Sequence, residues 1–555
     1  MAERQTPQIE QWVRDAGPRE AVLIGRARII AVLIAVSLLI LCAAPTALAA
    51  NLLYYSNQGA APGPGISFAN LDGSGGGDLN AAGATTDSAV GVAIDAATGK
   101  VYWANENNNT ISYANLNGGG GGQLNITGAI ADTPFGVAID PAQGKLYWTN
   151  FSDNTDPIAY ANLNGSGGGN LNITGATASS ADGLAVDPAT GKVYWANDNN
   201  NTISYANLAG GGGGQLNTTG VTPQGPNGVA IDASSGKLYW SNFLSNADPI
   251  SFANLDGSGG GGNLSTAGAT ASGPFGLALD PSAGKVYWAN VNNDTISYAD
   301  LAGGAGGQLN ITGSTPNQVG WPALLETPAA AGSPTISGGS TAGSVLSCSE
   351  GSWAPDLLES FLYRAPQSFS YQWSVGGAPI PGATSSSITA SSAGSYTCSV
   401  TASNYAGPAT QTSATFTVSK PSPASQVTKA SIGDQQITLT TPSLSVCTAN
   451  TSKLAVTLTS TRKSKGTKLK FSKAAFYIGK GVKHKHHKHG KVVITYTANA
   501  TKHHVPATVD LSLAGLKPGT HTLTVVLSYK RTKREHGHKK TVTVTKTMKV
   551  KFSVC

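Results

Sequence analysis

The sequence predicts an all-β chain, and three observations carry that expectation. A Tyr-Trp pair recurs with its Tyr at Tyr102, Tyr147, Tyr194, Tyr239 and Tyr287, a spacing of 45–48 residues. Between Cys348 and Cys398 stand Trp373 and Tyr396, at the spacing of a two-sheet sandwich. From residue 424 onward, apolar and polar residues alternate in Val/Thr-rich stretches such as KVVITYTA and TVTVTKTMKVKF. With 12% charged and 40% hydrophobic residues, the chain is too apolar and too weakly charged to be disordered. All nine histidines fall between His484 and His538, so the first 483 residues lack the commonest general base.

The repeated half comes first. Each unit reads G-[VL]-A-[IVL]-D, a Gly turn, [KL]-[VL]-Y-W-x-N, I-[SA]-[YF]-A-[ND]-L, a Gly run and a short last strand. Four strands in a period in the mid-forties describe a propeller blade. The first strands start at Gly91, Gly136, Gly183, Gly228 and Gly276, with a divergent sixth at 320–325, while Tyr54 marks a degenerate sixth Tyr position. The chain enters at Leu52 with no such strand before it, so its last strand completes the blade that the first residues begin. The expectation is a six-bladed β-propeller over 50–326.

GVAIDPAQGKLYWTN (136–150) resembles the YWTD repeats of six-bladed propellers in low-density-lipoprotein-receptor ectodomains, and the resemblance extends over about half of the chain. It implies a protein-binding, non-enzymatic propeller. The motif's Asp is replaced throughout by Asn57, Asn105, Asn150, Asn197, Asn242 and Asn290, which keep its hydrogen-bonding reach without the charge. Alternate Tyr positions lie 92 or 93 residues apart, so the ring reads as three copies of a two-blade unit.

Candidate binding residues sit in the loops after the second strands. One loop type carries Glu106, Asn108, Asp198, Asn200, Asn292 and Asp294; the other carries Asp153, Asp156 and Asp248. Such side chains hydrogen-bond sugars or, with backbone carbonyls, coordinate calcium. The competing reading is that they satisfy tight turns. The recurring Asp95, Asp140, Asp187, Asp232 and Asp280 are expected to be structural, and no residue is assigned as catalytic. The Gly runs, such as Gly118–Gly122, lack the Lys-Ser/Thr and helix of a phosphate loop.

Residues 327–423 are expected to form an immunoglobulin-like domain with flanking linkers, stapled by Cys348–Cys398. It resembles the bacterial immunoglobulin-like modules of secreted surface proteins. Residues 424–555 hold 24 Lys/Arg against three acids, giving +21, whereas residues 51–326 hold five Lys against 19 acids, giving −14. This basic His/Lys-rich β-domain, sandwich-like and stapled by Cys447–Cys555, has two basic runs. One contains Lys483, His484, Lys485, His486, His487, Lys488 and His489, and the other Lys530, Arg531, Lys533 and Arg534. Anion binding is the preferred reading of both, against transition-metal binding through imidazoles or a solvated turn. No interleaved aromatics point to nucleic acid.

The apolar run Ile29–Ala44 follows Arg19, Arg26 and Arg28 and precedes Ala47-Leu48-Ala49, the pattern of a signal peptide over 1–49, with an uncleaved anchor as the alternative. No later run is long enough to span a bilayer. The sequence thus describes a secreted or surface-associated, non-enzymatic binding or adhesion protein. Its propeller would recognise a glycan or protein, and its basic domain would hold anionic cell-envelope polymers. Calcium in the propeller loops is the one cofactor considered. The alternatives are a secreted metal-dependent propeller hydrolase or lactonase, and a purely structural surface protein.

Overall fold

The computed structural model describes residues 51–59, 63–421, 425–432, 435–443, 447–448, 453–462, 470–478, 492–497, 508–514 and 516–554. The expected signal peptide, the Lys/His run at 483–489 and Cys555 of the expected Cys447–Cys555 bridge lie outside the described residues. Apart from a 3-10 turn at Leu358–Ser360, the regular structure of these residues is β-strand. No helix among them is long and apolar enough to cross a membrane. The chain forms two compact units, one ending at Val418 and the other starting at Ser419.

In the first unit, residues 52–325 build six four-stranded antiparallel sheets. The innermost strands are Ala89–Asp95, Pro134–Asp140, Ala181–Asp187, Pro226–Asp232, Pro274–Asp280 and Val319–Leu325. Each touches the next, and Val319–Leu325 touches Ala89–Asp95, so the ring is closed. This is a β-propeller. Closure is made as the strand count requires: Val319–Leu325 pairs with Leu52–Asn57, the second strand of the same sheet. Closure removes the free edges that would otherwise pair with other chains.

The glycine that opens the G-x-A-x-D motif fixes how tightly the ring closes. At Gly136 an added Cβ would lie 2.8 Å from the Cα of Gly183, and at Gly183 it would lie 2.8 Å from the Cα of Gly228. At Gly228 it would lie 2.7 Å from the Cα of Gly276. Five glycines thus form a girdle in which backbone packs on backbone, leaving no room for any side chain. The sixth position is Trp321.

The Tyr-Trp-x-Asn motif pins each sheet to its neighbours. Its Trp is fully buried in all five complete copies, from Trp103 to Trp288. In each, the indole N–H donates to the motif's own Asn, as from Trp148 Nε1 to Asn150 Oδ1 at 3.1 Å. The same oxygen accepts the amide of Asp132 at 3.1 Å, and Asn150 Nδ2 donates to the carbonyls of Ile130 and Asp156. The buried amide therefore uses both its accepting and its donating sides. On the opposite face the motif's Tyr tilts against a ring from the next strand, and the preceding Lys lies over that ring, as Lys145 does over Tyr160 at 4.2 Å.

Residues 330–418 add a two-sheet sandwich. One sheet contains Ile336–Gly338, Val345–Cys348 and Ser387–Thr389; the other is built on Ser368–Val375, Gly394–Asn404 and Gly407–Thr412. The disulfide Cys348–Cys398 joins them. Trp373 is fully buried and opposite Cys398 in the register, and Tyr396 Oη donates to Ser392 O at 2.8 Å.

In the second unit, the sheet of Ser425–Ile432, Gln435–Pro442, Lys453–Arg462 and Thr508–Ser512 faces a second sheet. That sheet is centred on the long hairpin Gly519–Glu535 and His538–Val554. Their core includes Leu439, Val456, Phe476, Leu523, Val525, Leu527, Val550 and Phe552.

Because Asn150 Nδ2 faces two carbonyls, Asn150→Asp would turn two hydrogen bonds into repulsions around a buried charge. We expect a loss of about 2–4 kcal/mol in urea unfolding at pH 7, partly recovered near pH 4 as the carboxyl protonates. Unchanged stability would show that the donating side of the amide is dispensable.

Candidate functional site: a channel closed at both mouths

The inner strands enclose a central channel, the place where a propeller could gather residues from every sheet. At the mouth formed by their N-terminal ends it is filled with aromatic rings. Trp321 replaces the girdle glycine on one sheet, and its indole crosses the channel. A Cβ on Gly183 of the opposite sheet would lie 3.2 Å from Trp321 Nε1. One residue before the girdle, Phe135 and Phe275 project from opposite sheets and meet at 6.3 Å between ring centroids. Trp321 packs edge-on against both, at 5.9 and 4.5 Å. All three rings are buried.

Beside this plug, at the same level of the ring, lie Asp182 and Asn227. Both are buried, and Asn227 Nδ2 donates to Asp182 Oδ2 at 2.5 Å. Asp182 Oδ1 and the Asn227 carboxamide oxygen have no hydrogen-bond partner. Burial holds the Asp182 carboxyl well above the usual carboxylate range, reinforced by the charges of Asp198 and Glu106. The pair is one carboxyl and one carboxamide set beside an aromatic wall. Among the described residues no three His, Cys, Asp or Glu side chains come together as a metal site.

At the other mouth a strap from the sandwich module enters the channel. Leu362–Tyr363 pairs in parallel with the inner edge of Val319–Leu325, through Leu324 N to Phe361 O and Glu326 N to Tyr363 O, both 2.8 Å. The turn Leu358–Ser360 touches four more inner strands, and Ser360 Oγ donates to Ile231 O at 2.5 Å. Phe361, Leu362 and Tyr363 are each 0–1% exposed and belong to the propeller's core. Phe361 takes a left-handed conformation (φ 59°), a cost of about 1 kcal/mol that the burial of its ring outweighs. Arg364 closes the strap, donating to Ser282 Oγ at 2.7 Å and to Pro355 O at 3.2 Å. Beside it, burial and the neighbouring Asp280 push the Glu326 carboxyl up to about 7, against the pull of Arg364.

The loop residues singled out by sequence are largely spent on the fold. Glu106 accepts Ser88 Oγ, Asn108 accepts Thr110 Oγ1, and Asn200 accepts Thr202 Oγ1. Asp153 Oδ1 accepts the amides of Thr155 and Asp156. The carbonyls of Asp156 and Asp248 take the Nδ2 of Asn150 and Asn242, and Asp294 accepts the amide of Gln318 on the next sheet. Asn292 is tied through its own amide to Ser272 O. Glu106 and Asp198 stand close enough to Asp182 to raise its pKa; the other seven do not converge there. The repeated Asp95, Asp140, Asp187, Asp232 and Asp280 cap the turns after the inner strands, as Asp187 does with the amides of Ala189 and Thr190.

A groove that the sequence did not flag lies between the fourth and fifth sheets in chain order, those spanning 181–215 and 226–263 when the sheet begun at Leu52 is the first. It encloses about 700 Å³ and is lined by Thr202, Gln215, Asn217, Thr218, Thr222, Gln224 and Asn263, with no charged side chain. Thr218 stands where three other blades carry Ile126, Ile173 and Ile311, and the remaining two Ala81 and Thr266. In the second unit, the expected cluster of Lys530, Arg531, Lys533 and Arg534 is divided by strand alternation. Lys530 and Arg534 point to one face of the hairpin, and Arg531 and Lys533 to the other.

The raised Glu326 pKa links strap docking to pH. A carboxyl that is harder to ionise when folded stabilises the fold fully below its unfolded value of 4.5, and that stability is lost as pH rises through about 7. Unfolding of the first unit should therefore fall by on the order of 2 kcal/mol between pH 4.5 and 7.5 in the wild type. Glu326→Gln should show a flatter profile. Identical profiles would place the linkage elsewhere.

Residues 180–254 match the family of the outer membrane protein assembly factor BamB. Among solved structures, a chain of a nidogen/laminin complex is 21% identical, covering 45% of this chain and 90% of that one at a TM-score of 0.37. A gluconolactonase from Xanthomonas campestris is 16% identical, with coverages of 41% and 78% and a TM-score of 0.34. A calcium-binding regucalcin from Agrobacterium tumefaciens is 13% identical, with coverages of 47% and 81% and a TM-score of 0.29. No curated protein sequence matches the chain. Each of these is a likeness of fold.

Proposed function

We propose that the chain is a secreted, surface-associated binding protein without enzymatic activity. It is built as a six-bladed YWTD-type propeller, an immunoglobulin-like module and a basic β-domain. The propeller takes a neutral glycan in the groove between its fourth and fifth sheets, and the basic domain holds anionic envelope polymers. The observation that carries this reading is the closure of the channel at both mouths, by Trp321 with Phe135 and Phe275 and by the strap at 357–364. A hydrolase using the channel would need an open route to a set of polar groups, and here the Asp182–Asn227 pair is buried behind rings.

The groove supports a saccharide over a charged ligand. Its volume lies in the range of small-molecule sites, and its lining is hydroxyl and amide. Thr222 and Gln224 are exposed at its surface and, unlike Asn217, have no hydrogen bond from their side chains to the fold. The Asn217 side chain bonds Gly257 O and the Thr219 amide, which makes it a wall and not a reader.

Full-length protein probed on a neutral-glycan array should show saturable binding. Thr222→Trp and Gln224→Ala should each weaken it by about tenfold without lowering the melting temperature. Turnover of lactone or ester substrates by the wild type would overturn the non-enzymatic reading. Undiminished binding by both variants would remove the groove from it.

A further inference from the structure

Strand alternation in the second unit places six cations on one face of the sheet built on the long hairpin. In Gly519–Glu535 the odd-numbered Leu523, Val525, Leu527 and Tyr529 are buried, as are the even-numbered Met548, Val550 and Phe552 of His538–Val554. The opposite face therefore carries Lys530 and Arg534 from one strand and Lys539, Lys549 and Lys551 from the other. Lys473 joins them from Lys470–Ile478, where it pairs with Ser528. All six are exposed. No acid shares this face among the described residues: Asp510 lies on the other sheet, and Glu535 lies on the core-side face of the hairpin, 3.7 Å from Lys540. Between the cations runs a row of exposed hydroxyls, Thr541, Thr543, Thr545 and Thr547.

Two features of this face are costly unless something occupies it. Arg534 and Lys539 stand directly opposite each other in the register, a like-charge pair that destabilises a hairpin. Successive outward residues lie about 6.8 Å apart along the strand, so Lys549 and Lys551 repel across less than a Debye length. A chain of anions laid along the strand would neutralise both. Five of the six cations are Lys, which meets a tetrahedral anion as a point charge, and the intervening Thr hydroxyls are donors for further oxygens. A phosphate presents more oxygens than a carboxylate does, and the cations and hydroxyls alternating on this face supply donors for them.

We propose that the outer face of this sheet is a binding site for a linear phosphate polymer lying along His538–Val554. The inference rests on the anion-holding role given to the basic domain above and narrows it in place and in ligand class. The basic hairpin tip is then only one end of the site, and Lys473, Lys539, Lys549 and Lys551 belong to it.

The test uses full-length protein, with long-chain inorganic polyphosphate and polygalacturonate as probes over a range of salt. The outer-face variant Lys530→Gln/Lys549→Gln/Lys551→Gln should bind polyphosphate at least about tenfold more weakly, with a salt dependence flatter by about two to three counterions. The control Lys533→Gln/Lys540→Gln/Lys546→Gln removes the same charge elsewhere on the hairpin and should stay within about threefold of wild type. The outer-face variant should melt no lower than the wild type, since repulsion is relieved, so weaker binding cannot be ascribed to misfolding. Equal losses in the two variants would reduce the effect to net charge and overturn the site. Equal binding of polygalacturonate would overturn the phosphate class. Wild-type protein that bound neither polymer would overturn the anion-holding role itself.

Discussion

Backbone-on-backbone contact at the glycine girdle is the constraint from which the rest of the propeller follows. Five inner strands approach so closely at Gly91, Gly136, Gly183, Gly228 and Gly276 that a single methyl group would meet a neighbouring main chain at 2.4–2.8 Å. Tight contact at this level sets the radius of the ring. It also leaves room in the channel for little more than the one indole that the sixth strand supplies. Trp321 is therefore not an accident of a divergent repeat. It is the side chain that fills a hole defined by the absence of five others.

With that mouth filled, the strap at the opposite end takes on a structural sense. Val319–Leu325 is the strand where the two chain ends of the propeller meet, and so it is the joint whose separation would open the ring. The strap pairs along its inner edge, while Leu52–Asn57 pairs along its outer edge. The closing strand is thus held on both sides, once by the first residues of the propeller and once by the module that follows it. The elevated Glu326 pKa arises at this joint because packing buries the carboxyl beside Asp280, a rise that Arg364 of the strap offsets only in part.

Much of this was legible in the sequence. The period, the strand-count argument for ring closure, the Cys-Trp-Tyr-Cys spacing and the structural role of the repeated aspartates correspond to sheets, pairs and hydrogen bonds that are present. The strap was not legible. Leu357 to Arg364 reads as an irregular stretch inside the sandwich segment, and its partner edge lies in another module, so no local periodicity records the pairing. The binding loops stay ambiguous in sequence for a related reason. Asn, Asp and Thr at turn positions offer the same side-chain oxygens to a ligand and to the chain's own amides, and only geometry shows that Asn108, Asp153 and Asp294 are already engaged. The Asn-x-Thr that follows the last strand in four of the six repeats is a further signal of this kind. Asn125 caps its own turn and reaches Gly165 O on the next sheet, and Asn310 does the same across the ring closure to Gly73 O.

Repetition itself separates the parts that hold the fold from the parts free to do something else. Whatever recurs with the two-blade period can be met by a structural demand that recurs with it: the girdle glycines, the Trp–Asn bonds and the Asn-x-Thr links between sheets. A ligand that binds once has no such demand to make six times, so its site should appear where the pattern breaks. The breaks include Trp321, Asp182 and Asn227 at the level where two other inner strands carry Phe, and Thr218 where three other blades carry Ile. The first fills the channel and the second is sealed behind it. The third lines the uncharged groove, which a solute can reach.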